Sequence, residues 1–224
     1  MDELTPGVYD CPQTLERGDD FTIHPTAVET PRGVLLVDVG FPGQLGTVES
    51  HLAERSHALD DVWAVLCTHQ DGDHVAGLAD VVERVDPLVL AHRDCAPYVD
   101  GREHPVKSDE GDRYPPVDVD LELAGGETLR TDAGPVEVVF TPGHAPGHVS
   151  LFVREAGLLV AADALTADAD GLAGPSERHT LEMDEALDSA AALANLPVES
   201  VHCHHGGHVA ADSEILRMVV DERQ

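Results

Sequence analysis

The segment Thr68-His69-Gln70-Asp71-Gly72-Asp73-His74 gathers imidazoles and carboxylates in one short loop, directly after the apolar run Val62 to Cys67. In extended chain, alternate side chains project to the same side, so His69, Asp71 and Asp73 can converge on one point. His74 then opens the next helix, where its ring can turn toward the same cavity. Gly72 permits an unusual φ in a tight loop. Alone, this could be an acidic surface loop with stray histidines. Three further blocks argue otherwise: Thr141-Pro142-Gly143-His144-Ala145-Pro146-Gly147-His148, Ala161-Ala162-Asp163, and Val201-His202-Cys203-His204-His205-Gly206-Gly207. Each of the four follows or ends an apolar strand, at its C-terminal end, where loops can gather around one mouth.

In that order and spacing the blocks resemble the metallo-β-lactamase superfamily, which includes glyoxalase II-type thioesterases and lactonases. The family pattern runs T-H-x-H-x-D-H, then T-P-G-H-x-x-G-H, then a G-D strand end, then a terminal G-H-G. Val34-Leu35-Leu36-Val37-Asp38-Val39-Gly40 also resembles the family's early I-D-x-G strand. The resemblance covers nearly the whole chain, and its blocks are specific jointly rather than singly. It implies an α/β (α+β) chain folded as a four-layer αβ/βα sandwich of two mixed β-sheets with flanking helices. It also implies one domain over residues 1–224.

Carried over residue by residue, the resemblance puts one metal on His69, Asp71 and His144. A second falls on Asp73, His74 and His205, with Asp163 bridging both. His205 is preferred to His204 because Gly206 follows it, as in the family motif. His148 is expected to brace its loop, and Asp38 to accept a hydrogen bond that orients a ligand ring. Two positions depart from the pattern. Asp71 stands where the family usually has a second histidine, and Ala162 where Gly usually precedes the bridging Asp. Two divalent metal ions are implied, zinc first; the harder, charged oxygen of Asp71 opens iron or manganese as alternatives.

The activity implied is hydrolysis of a small ester-like bond, a thioester or lactone first, by water activated between two metals. Asp73 would steer that water's proton. β-Lactam cleavage is expected only as a side activity. A rival is a diiron redox protein related to the flavodiiron oxygen and nitric-oxide reductases, which also carry a carboxylate at the position of Asp71. Those proteins add a flavodoxin domain, for which this length leaves no room. A third reading is a non-catalytic metal-binding protein with a decayed site.

The elements that must position these residues are legible as patterns. Apolar or alternating runs predict strands over 21–29, 34–39, 62–67, 88–91, 117–123, 127–130, 136–140, 149–154, 158–162 and 200–203. Helical spacing predicts helices over 44–58, 75–85, around Cys95, over 181–196 and over 212–221. Strand groups at both ends of the chain, each with helices, suit two mixed sheets packed face to face with helices outside. The polar stretch Val99 to Pro116 reads as a surface loop long enough to be functional. Arg102, Lys107, Arg113 and Tyr114 lie in it, and Arg102, Arg113 and Tyr114 are expected to line the substrate entrance.

Composition bounds the partners. The chain has 224 residues, 43 acidic against 13 basic, and a formal net charge of −30, with Lys107 its only lysine. Self-repulsion of that size destabilises a compact state at low ionic strength and is relieved by molar salt. The expected setting is a salt-rich cytoplasm of the haloarchaeal kind. A nucleic-acid partner is excluded, since it requires cations that displace phosphate counterions, and an anionic membrane surface is excluded likewise. The expected partner is a small-molecule substrate, and a homodimer is compatible with the chain. The N-terminus carries Asp2 and Glu3 and no apolar run, unlike a signal peptide. Cys11, Cys67, Cys95 and Cys203 have no CxxC spacing and are expected to remain thiols.

Overall fold

The computed structural model describes residues 1–17, 19–109 and 111–222. Chain order begins with β1 (Asp2–Thr5), β2 (Val8–Asp10), β3 (Gln13–Arg17), β4 (Asp19–Ile23), β5 (Thr26–Thr30) and β6 (Gly33–Val37). Helix α1 (Leu45–Glu54) leads to β7 (Val62–Cys67), then α2 (Gly72–Val75), α3 (Leu78–Val85), β8 (Leu88–His92) and α4 (Ala96–Val99). The second half contains β9 (Leu121–Leu123), β10 (Thr128–Thr131), β11 (Gly134–Phe140), β12 (Val149–Val153), β13 (Leu158–Ala162), β14 (Thr166–Asp168) and β15 (Gly171–Ala173). It closes with α5 (Met183–Leu193), β16 (Ser200–Cys203), β17 (Gly207–Val209) and α6 (Ser213–Asp221).

These strands form one sheet in the order β1-β2-β5-β6-β7-β8-β9 and a second in the order β10-β11-β12-β13-β16-β17. Both are mixed: β6, β7, β8 and β9 run parallel, as do β13 and β16, while the other pairings are antiparallel. Parallel strands covered on both faces need continuous apolar runs, which is how VWAVLC in β7 and LLVAA in β13 read.

The alternation along each strand divides the apolar side chains among three cores. Leu35, Val37, Ala64 and Leu66 of the first sheet meet Val136, Val138, Leu151 and Val160 of the second. Leu36, Val65 and Cys67 point the other way, onto Val48 and Leu52 of α1, Leu78 and Val81 of α3, and Ala96 of α4. Phe152, Leu159 and Val201 cover Ala190 and Leu193 of α5 and Leu216 of α6. Helix, sheet, sheet and helix are therefore stacked in four layers, the expected αβ/βα sandwich. All four cysteines are buried thiols.

Several expected elements have different bounds. The strand over 21–29 is two strands, because His24 and Pro25 interrupt it and the Pro lacks an N–H for the ladder. The helix over 75–85 is α2 and α3, separated at Ala76 and Gly77. The strand over 117–123 shrinks to Leu121–Leu123. Residue 110, inside the predicted surface loop, lies outside the described residues.

Candidate metal centre

Each block rich in histidine or aspartate enters one mouth from the end of a strand. Asp38 follows β6, the 68–74 loop follows β7, His144 and His148 lie between β11 and β12, Asp163 follows β13, and His204 and His205 follow β16. The two sheets are tied at this mouth, where Val149 N donates to Thr68 O at 3.0 Å.

Two donor sets meet around Asp163. His69 Nε2 and His144 Nε2 lie 3.4 and 3.2 Å from Asp71 Oδ2. His144 Nε2 and His205 Nε2 lie 3.3 and 3.4 Å from Asp163 Oδ2. On the other side, His205 Nε2 is 3.2 Å from Asp73 Oδ2, and His74 Nε2 is 3.4 Å from Asp163 Oδ1. Candidate ligand atoms of His69, Asp71 and His144 fall within 4.8 Å of one another, as do those of Asp73, His74 and His205 and those of His69, His74 and Asp163.

The fit to a cation is tested by what these atoms lack. His69 Nε2, His74 Nε2 and Asp163 Oδ1 are buried without a hydrogen-bond partner. Leaving a buried polar atom unsatisfied costs about 1–3 kcal/mol each, and here such atoms face one another. Divalent cations among imidazole nitrogens and carboxylate oxygens would satisfy all of them, so the residues fit the group the donor chemistry implies.

The supporting contacts are built to hold that arrangement. Asp38 accepts from Thr68 N at 2.8 Å and Thr68 Oγ1 at 2.7 Å, and it lies 2.7 Å from His74 Nδ1. A proton on Nδ1 leaves His74 Nε2 as a lone-pair donor toward the mouth. His148 sits with Nδ1 2.8 Å from Thr141 Oγ1, while its Nε2 accepts from Asp163 N at 3.1 Å, so it braces the loop and Asp163 together. His204 stacks on His74 at 3.5 Å between ring centroids and turns its Nε2 to Asp73 O. It also lies near Asp38 and His74, but those two are already bonded to each other and His204 only stacks on His74, so that trio is a supporting cluster beside the two donor sets. His205 is the ring that faces Asp73 and Asp163.

Ala162 has φ +49°. The left-handed region favours glycine, which gives a physical reason for the Gly at that place in the pattern. The strain at Ala162 is about 1 kcal/mol, small enough for the packing of β13 to hold.

Electrostatics prepares the carboxylates to bind cations. Burial would raise Asp71, but His69, His144 and Lys107 together hold it well below the usual carboxylate range. Asp73 is lowered in the same way, with the His205 hydrogen bond and His74 outweighing burial. Burial, reinforced by His74, pushes His69 down to about 4, so it is neutral and can donate a lone pair at neutral pH. His205 moves oppositely: burial works to lower it, but Asp163 and Asp73 push it up to about 9. Cation binding there must therefore expel a proton.

A cavity of about 320 Å³ opens over the centre, lined by Phe21, Asp71, Asp73, His144, Asp163, Thr166, Ser176, His179 and His205. Arg102, Arg113 and Tyr114 are absent from that lining, which corrects the expected substrate entrance. Arg102 is exposed and paired with Asp100 and Glu122. Arg113 donates to the carbonyls of Tyr98, Glu103 and Tyr114. Tyr114 packs against the helix-side core and donates its hydroxyl to Gln70 O at 2.9 Å. In an acidic chain the local carboxylates and carbonyls capture these cations before any ligand can. Lys107 from the same loop does reach the centre, with Nζ 2.6 Å from Asp71 Oδ2. Phe21, Thr166, Ser176 and His179 carried no signal, since nothing in their local pattern ties them to the histidine blocks.

The fold and site together define a class, a metal-binding αβ/βα sandwich. The metallo-beta-lactamase superfamily profile matches residues 18–205, and the chain belongs to that superfamily. It is 27% identical to "Probable metallo-hydrolase YflN" of Bacillus subtilis strain 168, over 79% of this chain and 76% of that protein. It is 30% identical to a hydroxyacylglutathione hydrolase of Ruegeria pomeroyi, over 72% of this chain but 52% of that enzyme. Among solved structures, a metallo-beta-lactamase family protein of Thermus thermophilus superposes with a TM-score of 0.78 at 26% identity, over 99% of this chain and 81% of that one.

Proposed function

We propose that this chain is a dinuclear metal-dependent hydrolase of small ester-like substrates, with thioesters and lactones first among them. The observation that carries the reading is the convergence of His69, His74, His144 and His205 on Asp163, with buried donor atoms left unpartnered. His69, Asp71 and His144 would hold one cation, Asp73, His74 and His205 the other, and Asp163 would serve both. When bound, two divalent cations supply Lewis acidity that activates water at neutral pH and polarises the bond to be cut. Asp73, on the cavity wall, accepts and passes on the proton released from that water. Asp38 keeps His74 in the tautomer that faces the mouth. Phe21 and His179 flank the space above, where an acyl group would lie.

Support for an ester-type substrate comes from relatives: one is named a hydroxyacylglutathione hydrolase and another, from Aspergillus fumigatus, an atrochrysone carboxyl ACP thioesterase. The chain spans only about half and a third of those two, so their specificity is not transferred. Zinc is the first metal proposed and a salt-rich cytoplasm the proposed setting.

The test is elemental analysis of protein purified in molar KCl, followed by thioester, lactone and phosphodiester substrates. About two zinc equivalents and hydrolysis of a thioester or lactone are expected. Asp163→Asn should lose metal and lower kcat/KM on the order of 10³-fold. Iron with visible absorption and no hydrolysis would replace this reading with the diiron redox one. Metal-free protein inert to every substrate would leave neither standing.

A further inference from the structure

Lys107 Nζ lies 2.6 Å from Asp71 Oδ2 and 2.8 Å from His144 Nε2. Those are two of the three side chains that make up one donor set. A positive charge from the chain itself therefore stands inside a set whose geometry suits a cation. Its position is held from both sides. Val106 N donates to Gln70 Oε1 at 2.7 Å, and Tyr114 OH donates to Gln70 O, so the loop is fastened to the neighbour of Asp71 before and after Lys107. The other set is different: His205 pairs with both Asp73 and Asp163, and no lysine or arginine among the described residues forms an ion pair with any of the three.

We propose that Lys107 is an internal competitor for the His69–Asp71–His144 set, so that the chain loads two cations unequally, the second only after the ammonium has been displaced. The proposal rests on the dinuclear reading above. Two positive charges cannot share Asp71 at contact distance without strong repulsion in a partly desolvated site. An entering cation must then break a charge-assisted hydrogen bond that an isolated donor set would not contain. The Asp73–His74–His205 set is opposed by no lysine or arginine, only by a proton on His205 that leaves to solvent. The ammonium, in contrast, stays tethered beside its set by the loop fastened to Gln70, so the Asp73–His74–His205 set fills first. Asp71 takes on a second meaning here. A neutral imidazole at this position would hold the ammonium weakly, whereas a carboxylate holds it firmly, so Asp71 and Lys107 act as a pair.

The test is calorimetric titration of the chelator-stripped chain with Zn2+ in molar KCl, for the wild type, Lys107→Met and Lys107→Gln. The wild type should show one tight and one weak step, and both variants should tighten the weak step by about 100-fold. Since Lys107 is the only lysine, ¹⁵N-lysine labelling gives a single ammonium signal. That signal should move with the second equivalent of Zn2+ and not with the first. Two steps with the same affinities in all three proteins, or an ammonium signal indifferent to zinc, would overturn the competition and leave the metal centre intact. No zinc binding in any of the three would overturn both.

Discussion

Asp38 carries more of the site than its place outside either donor set suggests. Its carboxylate is buried and lies within hydrogen-bond distance of Thr68 N, Thr68 Oγ1 and His74 Nδ1, so it fixes both the start of the 68–74 loop and the direction of one imidazole. Asp38→Asn keeps the shape but leaves only one oxygen for three donors. The expected result is zinc affinity lowered about 10–100-fold, read by competition with a chromophoric chelator, with a fall in thermal midpoint from the stranded buried donor. Unchanged affinity would mean that His74 is oriented by its stacking on His204 alone. The histidines and aspartates that meet at the mouth were legible because each sits in a short block directly after an apolar strand, where local pattern and local geometry coincide. Lys107, Phe21 and His179 were not, because they reach the cavity through tertiary placement of loops. The same reasoning misdirected Arg102 and Arg113: a cation near the mouth in sequence is free to face it only if no nearer carboxylate or carbonyl captures it.

At the scale of elements, the site depends on a close backbone approach at the end of β16. Gly206 has φ +101°, and a Cβ there would stand 1.9 Å from Ala167 O. That carbonyl belongs to β14, whose Ala167 N donates to His205 O. Gly206→Ala must therefore move β14 or His205. Gly171 is the matched control: its φ is +119°, but an added Cβ meets nothing within 4 Å. Both variants carry left-handed strain of about 1–2 kcal/mol, and only Gly206→Ala should add about 1–3 kcal/mol of steric displacement. Thermal unfolding should separate them, and zinc titration should show a weakened site in Gly206→Ala alone. Equal behaviour would mean that His205 is not held by this turn. The central strands β6, β7, β12 and β13 were readable from their apolar runs. The short β1, β2, β14, β15 and β17 were not, since three or four residues hold too few alternations to stand out from turns. The split between α2 and α3 escaped as well, because the apolar spacing of Val75, Leu78 and Val82 continues across it.

For the whole molecule, the same charge that suits a cation centre opposes the compact fold. A formal net charge of −30 is spread over 224 residues. Only a few of the carboxylates are paired with a lysine or arginine in the described residues, among them Glu3, Asp71, Asp94, Asp100, Glu122 and Glu137. Repulsion among the rest acts over the Debye length, which falls from about 10 Å at 0.1 M salt to about 3 Å at 1 M. Unfolding separates the charges, so raising KCl should stabilise the folded chain until screening is complete. Relief of a few kcal/mol corresponds to a rise in thermal midpoint on the order of 10 °C for a chain of this size, expected between 0.1 and 2 M KCl in metal-free protein. Sucrose strengthens apolar burial without screening charge and should give a smaller rise at matched osmolality. A midpoint that is flat or falls in KCl would show that self-repulsion is not what limits this fold. A sucrose effect equal to that of KCl would assign the gain to burial in the three apolar cores instead.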